Sequence, residues 1–395
     1  MSGIAKILEK ERTVVKSVSR RRTSYSTDIS ARSQTEWGLI TALFRATVAH
    51  PEASKVTLEL VRKTTSGAVG SGLTADNYQG MVAILDEFAT AAGAAAMRVQ
   101  HQRRGTAQPV AATLGPIVER GLAALDSLYE LRNVIPDLMK ASSLTKVDGA
   151  LKSPFRACAD WTTAWNTFWL PPLMAVAKHC VNGSRDIRQK AVSYLQRLLL
   201  SQQLMSSEEA ALSAVFARVL LPILDELLKP QVFDRDPAGM EETRLRAATL
   251  LCKVFLQYLM LLGETKETIA TLLTRVIDLL ERFMRTGSRQ LVRGSESHTD
   301  DADLRFQYEA VPESLKNVLL VMQSSGFLAP PITPDTRTEK QKLLWTTAYN
   351  RIERFLPGFL NEVIPTPPAP KESASVPVPS AEQTASTEEA ELSQK

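Results

Sequence analysis

The chain has 395 residues, of which 44% are hydrophobic and 23% charged, and its formal net charge is +4. This composition is typical of a globular protein that buries a core over most of its length, and it excludes a basic domain that reads nucleic acid. Three widely spaced cysteines, Cys158, Cys180 and Cys252, indicate buried free thiols in a reducing compartment. We expect no apolar run of membrane-spanning length and no signal peptide, hence a protein that is cytosolic or peripheral to a membrane.

Residues 1–20 are predicted to form a basic amphipathic helix, which with a polar linker makes up a first segment, 1–32. Its apolar face is formed by Ile4, Ile7, Leu8, Val15 and Val18. The candidate lipid contacts that flank this face are Lys6, Lys10, Arg12 and Lys16. Such a helix can lie on an anionic membrane. The alternative is that it forms the first helix of the array that follows, or a linker.

A short basic run, Arg20–Arg22, precedes three hydroxyl side chains, Thr23, Ser24 and Ser26. This pattern resembles a site for basophilic kinases. Phosphorylation there would replace positive charge with negative charge.

From Ser33 onward, apolar residues recur at three- and four-residue spacing, which predicts an all-α protein. Helices are predicted near 34–48, 52–66, 74–97, 111–141, 159–181, 186–202, 207–229, 240–262, 266–286, 311–324 and 338–360. Loops are predicted at 67–72, 230–239 and 287–309. We divide the helices into a domain over 33–150 and a repeat domain over 151–364. The Pro/Glu-rich tail 365–395 has too few large apolar groups to order its backbone and is predicted to be disordered.

An internal repeat indicates how the helices are arranged. Asp186–Leu200 and Glu242–Leu256 share an acid, Arg, Ala, Leu and basic residues at matching positions, 56 residues apart. Ala191 and Ala247 are expected to let a neighbouring helix approach. Arg188 and Arg244 are expected to reach carbonyls or acids of an adjoining unit. The repeat predicts an α-solenoid of stacked helix pairs, similar to HEAT or armadillo proteins.

No pattern in the sequence indicates a catalytic, cofactor or metal site. There is no Gly-x-Ser-x-Gly elbow, no Cys-x-x-Cys and no His-Glu-x-x-His. His179 and Cys180 are adjacent and diverge by about 100° on a helix, so they do not face one ion. Trp161, Trp165 and Trp169 form a stripe that is more typical of a core than of a ligand cage.

Four stretches of the chain resemble a known family. They are 161–200 (WTTAWNTFWLPPLMAVAKHC onward), 215–262, 310–328 (AVPESLKNVLLVMQSSGFL) and 343–363 (LLWTTAYNRIERFLPGFLNEV). Their order and their amino-acid sequences are similar to the C-terminal part of the large Golgi Arf guanine-nucleotide exchange factors of the GBF/Gea type. The sequence as a whole resembles the fungal members. The resemblance covers 155–363 well, residues 1–150 weakly and the tail not at all.

The resemblance implies helical domains downstream of a catalytic exchange domain, with roles in recruitment and regulation in Golgi vesicle transport. Implied partners are small GTPases of the Arf/Rab type, other domains of the parent protein and the Golgi membrane surface, and the implied location is cytoplasmic, peripheral to the Golgi. No stretch resembles the Phe-Arg-x-Pro-Gly-Glu-type catalytic loop. We therefore expect part of a longer exchange factor rather than a stand-alone protein. The alternative is a HEAT-type scaffold unrelated to Arf, since fold does not fix function.

Overall fold

A computed structural model describes residues 26–67, 72–103, 111–144, 161–205, 209–261, 266–293, 301–332 and 334–365. Within these ranges the chain is helical and contains no strand. The predicted disordered tail lies outside the described residues, apart from residue 365.

Seventeen α-helices are found in the described residues, numbered here in chain order. They are α1 (Ser26–Thr47), α2 (Pro51–Thr65), α3 (Ala75–Arg103), α4 (Ala111–Glu130), α5 (Ile135–Leu144), α6 (Trp161–Phe168), α7 (Leu170–Lys178), α8 (Arg185–Leu199), α9 (Gln202–Met205), α10 (Glu209–Val215), α11 (Leu221–Leu227), α12 (Pro230–Phe233), α13 (Pro237–Leu259), α14 (Lys266–Arg293), α15 (Asp301–Ser324), α16 (Glu339–Ile352) and α17 (Phe359–Val363).

The helices stack into one continuous array. Helix α3 packs along α4, α4 on α8, α8 on α13, α13 on α14 and α15, and α14 on α15 and α16. One cluster of buried apolar side chains extends from Trp37 in α1 to Ile364 beyond α17. The prediction of an all-α array of stacked helices is confirmed. The boundary between 150 and 151 falls in residues that the structure does not describe, and it stays a prediction.

Prolines account for two of the differences from the predicted helix bounds. The predicted helix 159–181 is two helices, α6 and α7, because Pro171 and Pro172 follow the break. Pro172 has no N–H to donate to the carbonyl of Phe168, four residues earlier. The hydroxyl of Tyr78 in α3 donates to that carbonyl instead, at 2.6 Å. The predicted helix 338–360 ends at Ile352, and Pro357 and Gly358, with a φ of 77°, precede α17.

Other predicted bounds were wrong in smaller ways. The helix 111–141 is interrupted by a 3-10 turn at Leu131–Asn133, and 207–229 contains a π-helical turn at Phe216–Leu220. The predicted loop 230–239 contains α12 and the start of α13. The predicted loop 287–309 is helical up to Arg293 and again from Asp301, because its polar residues extend helices that have apolar faces elsewhere.

Helix α3 contradicts the expectation that no apolar run reaches the length of a membrane span. Residues Ala75–Gln100 are long and apolar enough to cross a bilayer, but 56% of the most apolar stretch is buried inside the protein. Tyr78, Leu85 and Phe88 belong to the core. A helix with apolar residues on all sides is typical of the centre of a large fold, and we interpret α3 as a core helix.

The two repeat units contact each other through Arg188, which is fully buried in α8. Its guanidinium donates to the Asn182 carbonyl at 2.8 Å and to the Thr243 hydroxyl at 3.1 Å. It also pairs with the carboxylate of Asp236, which caps α13 by accepting from the Gly239 N–H. A Cβ at Gly239 would collide with the Asp236 carboxylate and the Arg188 guanidinium, so a larger residue there would displace this ion pair. The prediction that Arg188 reaches an adjoining unit is confirmed.

Arg244 occupies the matching position in α13. Its Nε donates to the carbonyl of Leu227, the last residue of α11, at 2.8 Å, and its guanidinium lies 4.3 Å from the centre of the Phe233 ring. Burial lowers the pKa of Arg244 to about 10, against the raising effect of nearby Glu241 and Asp234. Ala191 and Ala247 are both buried, as expected for close helix packing.

We predict that Arg188→Met strongly destabilises the fold. The substitution keeps the length of the side chain but leaves the Asp236 carboxylate without its buried cation, which typically costs about 3–5 kcal/mol. Urea unfolding measures the change. Arg185→Met is the control, because Arg185 is 52% exposed and its ion pair with Glu242 is worth at most about 1 kcal/mol. Equal losses in the two variants would contradict a special role for Arg188.

We also predict that Cys180 and Cys252 stay unmodified in the native protein. Both thiols are free and buried. Burial raises the pKa of Cys252 to about 12 and that of Cys180 well above its ordinary value, so the reactive thiolate is suppressed. A charged thiol reagent should modify them only in denaturant, as followed by mass spectrometry. Rapid modification without denaturant would show that α13 and the 3-10 turn His179–Val181 after α7 open readily.

Candidate functional site

Most of the residues that the sequence analysis proposed as sites lie outside the described residues. This applies to the candidate lipid contacts Lys6, Lys10, Arg12 and Lys16 and to the candidate phosphorylation sites Thr23 and Ser24. Ser26 opens α1. These assignments stay predictions.

Two of the three tryptophans of the stripe lie in the core, as predicted. Trp165 and Trp169 are both buried. Trp161 opens α6.

His179 belongs to a buried polar cluster rather than to a metal site. Its Nε2 lies 2.8 Å from Oδ1 of Asp86, and its Nδ1 lies 3.1 Å from Nδ2 of Asn182. Asn182 Nδ2 also donates to the Ala89 carbonyl at 3.0 Å. Since that nitrogen is a donor, His179 Nδ1 accepts and Nε2 carries the proton that is donated to Asp86. No group of metal-ligating side chains occurs among the described residues.

Asp86 joins this cluster to solvent. Its Oδ2 accepts a hydrogen bond from Lys178 Nζ at 2.8 Å. Burial alone would raise the pKa of Asp86, but the hydrogen bonds from His179 and Lys178, together with the positive charge of Lys178, hold it below its ordinary value. The cluster has both ring nitrogens of His179 engaged and presents no nucleophile. Its chemistry is structural, holding α3 against α7 and α8.

The strongest candidate binding site is a basic groove between α2 and α4, with a volume of about 670 Å³. Its walls combine four basic and three acidic side chains with small polar groups. The lining residues are Lys55, Leu58, Glu59, Arg62, Lys63, Thr65, Ser66, Arg120, Asp126, Ser127, Glu130 and Asn133.

Two of the three carboxylates of the basic groove are already engaged. Asp126 pairs with Lys190 at 2.7 Å and accepts from the hydroxyl of Tyr194. Glu130 accepts from the amide of Asn133 and lies 3.5 Å from Arg132.

The four cations of the basic groove are available to a ligand. Lys55, Arg62, Lys63 and Arg120 form no ion pair with any other part of the chain that the structure describes. Only Glu59 opposes them as an unengaged acid. A groove with surplus cations and a guanidinium from each wall can bind phosphate or carboxylate groups.

This groove was not predicted from the sequence, although the spacing of three of its basic residues is visible there. Lys55, Arg62 and Lys63 are spaced by seven and eight residues, which places them on one face of a helix. Arg120 comes from a helix more than 50 residues later, and only the packing of α2 on α4 brings it to the same groove.

Comparison with known proteins identifies the repeat region. Residues 169–359 match the family model for the GBF1-like tetratricopeptide repeat region. Over these residues the chain is similar to the GBF1-like repeat region. This match covers α7 to α16, ends at the first residue of α17 and includes both copies of the internal repeat. The description of that family names tetratricopeptide repeats, whereas the sequence predicted helix pairs similar to HEAT and armadillo repeats.

Three relatives extend the similarity beyond the GBF1-like region. The chain is 31% identical over 211 residues to the Golgi-specific brefeldin A-resistance guanine nucleotide exchange factor 1 homolog of Caenorhabditis elegans, covering 53% of this chain and 9% of that protein. It is 27% identical over 335 residues to the ARF guanine-nucleotide exchange factor GNOM of Arabidopsis thaliana, and 25% identical over 338 residues to GNL1 of the same plant. Each of these two alignments covers 85% of this chain and 20% of the relative.

The chain therefore spans a fifth or less of the length of these relatives. No solved structure matches it at a significant level. The resemblance to a region of the large Arf exchange factors is confirmed, and the alternative of an unrelated scaffold loses its support.

We predict that Asp86→Asn flattens the acid dependence of stability. Because the pKa of Asp86 is lowered in the folded state, its contribution is present above the unfolded value of about 3.9 and is lost as the pH falls through the folded value. Urea unfolding between pH 7 and pH 3 should show a shallower decline for the variant. Glu59→Gln, at an exposed carboxylate, controls for the loss of one charge. An unchanged slope in Asp86→Asn would contradict the assignment.

Proposed function

We propose that this chain is a regulatory and recruitment module of a large Arf guanine-nucleotide exchange factor, acting in Golgi vesicle transport without performing the exchange reaction itself. The observation that carries the proposal is the match of residues 169–359 to the GBF1-like repeat region, because it connects the fold to one family. The names of the relatives supply the parent activity, an exchange factor for ARF.

The architecture supports a binding role. A helical array in which each unit contacts its neighbours offers long, continuous surfaces, which is how solenoid proteins engage partners. The polar side chains inside the array, such as Arg188, Asp236 and His179, are used up in contacts between helices. They hold the shape and leave recognition to exposed side chains.

The basic groove is the surface that we assign to recruitment. Anionic lipid headgroups at the cytoplasmic face of the Golgi supply phosphates that its four cations can bind, and each basic side chain near such a surface contributes about 1 kcal/mol. Membrane-anchored small GTPases of the Arf/Rab type and other domains of the parent protein are the further proposed partners. The proposed location is cytoplasmic and peripheral to the Golgi membrane.

We predict that the full 395-residue chain sediments with vesicles of Golgi-like, anionic composition. Arg62→Gln combined with Lys63→Gln should weaken binding roughly 30-fold, since two cations are removed from the basic groove. Lys253→Gln combined with Lys316→Gln is the matched control, because these exposed lysines lie on α13 and α15, away from the groove. The control should bind as the parent does.

Two further arms separate the components of the proposal. Neutralising Lys6, Lys10, Arg12 and Lys16 tests the amino-terminal segment as a second lipid contact, and GTP-loaded, membrane-anchored Arf or Rab proteins test protein recruitment. Binding that requires one GTPase would name the partner. The absence of binding to vesicles, with and without every GTPase, would contradict a recruitment role, and nucleotide release from Arf by this chain would contradict the division of labour.

A further inference from the structure

The basic groove holds a hydroxyl side chain among its cations. Ser66 is the C-terminal cap of α2 and lines the groove together with Arg62 and Lys63. The residue is exposed, and its Oγ donates to the Lys63 carbonyl at 3.0 Å. Ser66 therefore lies at the surface, at the end of the groove wall that α2 forms.

The residues before Ser66 match the pattern that basophilic kinases select. In the run RKTTS, residues 62–66, the basic side chains precede the serine by three and four positions. Arg62 also lies three positions before Thr65, so the sequence alone does not choose between the hydroxyls.

Burial distinguishes Ser66 from the two hydroxyls before it. Thr64 is 7% exposed and Thr65 is 3% exposed. Their hydroxyls donate to the carbonyls of Leu60 and Val61, each at 2.9 Å, within α2. Ser66 lies just beyond the last helical residue, and a helix end frays readily, which lets a kinase bind the last turn in an extended form. Of these three hydroxyls, the one at position 66 is accessible.

We propose that Ser66 is a phosphorylation site whose phosphate occupies the basic groove and excludes an anionic ligand from it. The ligand is the lipid phosphate of the proposed function, on which this inference rests. A kinase transfers the γ-phosphoryl group of ATP to Ser66: the bond to ADP breaks, a bond to Oγ forms, and the hydroxyl proton passes to the base of the kinase. The product carries a charge of roughly −1.5 to −2 at pH 7.

The phosphate meets cations from both walls of the groove. Side chains three and four positions apart are neighbours on a helix, so Lys63 and Arg62 lie beside position 66. Arg120 lines the same groove from α4. None of these three cations forms an ion pair with another described residue. Guanidinium groups bind phosphate oxygens with two parallel hydrogen bonds, which favours retention of the phosphate in the groove.

Two negative charges oppose the phosphate. The C-terminus of α2 carries about half an elementary charge, which repels an anion, and Glu59 adds the charge of one carboxylate. The groove sets four full positive charges against them. The positive charge is in excess, so the groove attracts the phosphate.

Phosphorylation of the full chain tests the site. The chain is incubated with ATP and a panel of purified basophilic kinases that select a basic residue three positions before the acceptor. Mass spectrometry should find phosphate on Ser66, and Ser66→Ala should accept none at residues 64–66. The absence of phosphate on Ser66, or equal modification of Thr64 and Thr65, would overturn the proposal.

Phosphorus NMR tests the occupation of the groove without any membrane. The second pKa of phosphoserine is ordinarily about 6, and the cations of the groove should lower it by about half a unit or more. Arg120→Gln should move this pKa back toward its ordinary value, whereas Arg120→Lys should keep it low. Lys253→Gln, at an exposed lysine of α13, is the matched control for the loss of one charge. A pKa that Arg120→Gln leaves unchanged would contradict occupation of the groove.

Vesicle binding tests the exclusion of the ligand. The phosphorylated chain should bind vesicles of Golgi-like, anionic composition roughly 30-fold more weakly than the unmodified chain, since about two positive charges are neutralised. Ser66→Ala, treated with kinase in the same way, should bind as the parent does. Equal binding before and after phosphorylation would overturn the exclusion. If the unmodified chain does not bind vesicles, the proposed function fails, and phosphorus NMR still decides whether the phosphate occupies the groove.

Discussion

The buried guanidinium of Arg188 is the interaction on which the repeat region depends. It bonds the turn before α8 through the Asn182 carbonyl, the start of α13 through Asp236, and the first turns of α13 through Thr243. Asn182 in turn contacts His179, which contacts Asp86 in α3. A single connected polar cluster thus joins the amino-terminal helices to the GBF1-like region. Because a buried charge is tolerated only when it is paired, this cluster fixes the relative position of four helices.

Two kinds of side-chain hydrogen bond to a backbone carbonyl connect the helices. In one, an arginine within a helix donates to a carbonyl at the end of a preceding helix or turn, as Arg188 and Arg244 do. In the other, a proline frees a carbonyl and a hydroxyl from a distant helix occupies it, as Tyr78 does at Phe168. Tyr258 makes a similar contact with the carbonyl of Leu199 at the end of α8. Both kinds of bond satisfy backbone groups that are left over where helices end.

The distribution of charge separates the structural and the recognition parts of the molecule. Near the far end of the array, Arg351 of α16 pairs with Asp278 of α14, and Arg354, just beyond α16, pairs with Glu281 of α14, so these cations stabilise helix packing. The cations of the basic groove have no such partners among the described residues, and they remain free for an anionic ligand. This contrast separates the cations that hold helices together from the cations that line the basic groove.

The sequence by itself determined the helical class, most helix positions and the repeat, because the 3.6-residue period of apolar side chains is local information. It also predicted that Arg188 would reach the adjoining unit, since the matching motifs place it at a helix start. The sequence did not determine the breaks near Trp169 and Ile352, or the helix that begins at Asp301. These features depend on contacts with distant parts of the chain, such as the hydroxyl that bonds a carbonyl left free by a proline, and on the helices against which a segment packs.

Only the tertiary structure decided the candidate site and the role of α3. The sequence alone shows that Lys55, Arg62 and Lys63 share one helix face. The basic groove becomes apparent only in the structure, which adds Arg120 from another helix and shows that Asp126 and Glu130 are engaged elsewhere. In the same way, the composition of α3 fits a membrane span, and its burial among α1, α4 and α7 makes it a core helix. Local periodicity fixes which residues share a face, whereas burial and pairing are properties of contacts between residues far apart in the chain.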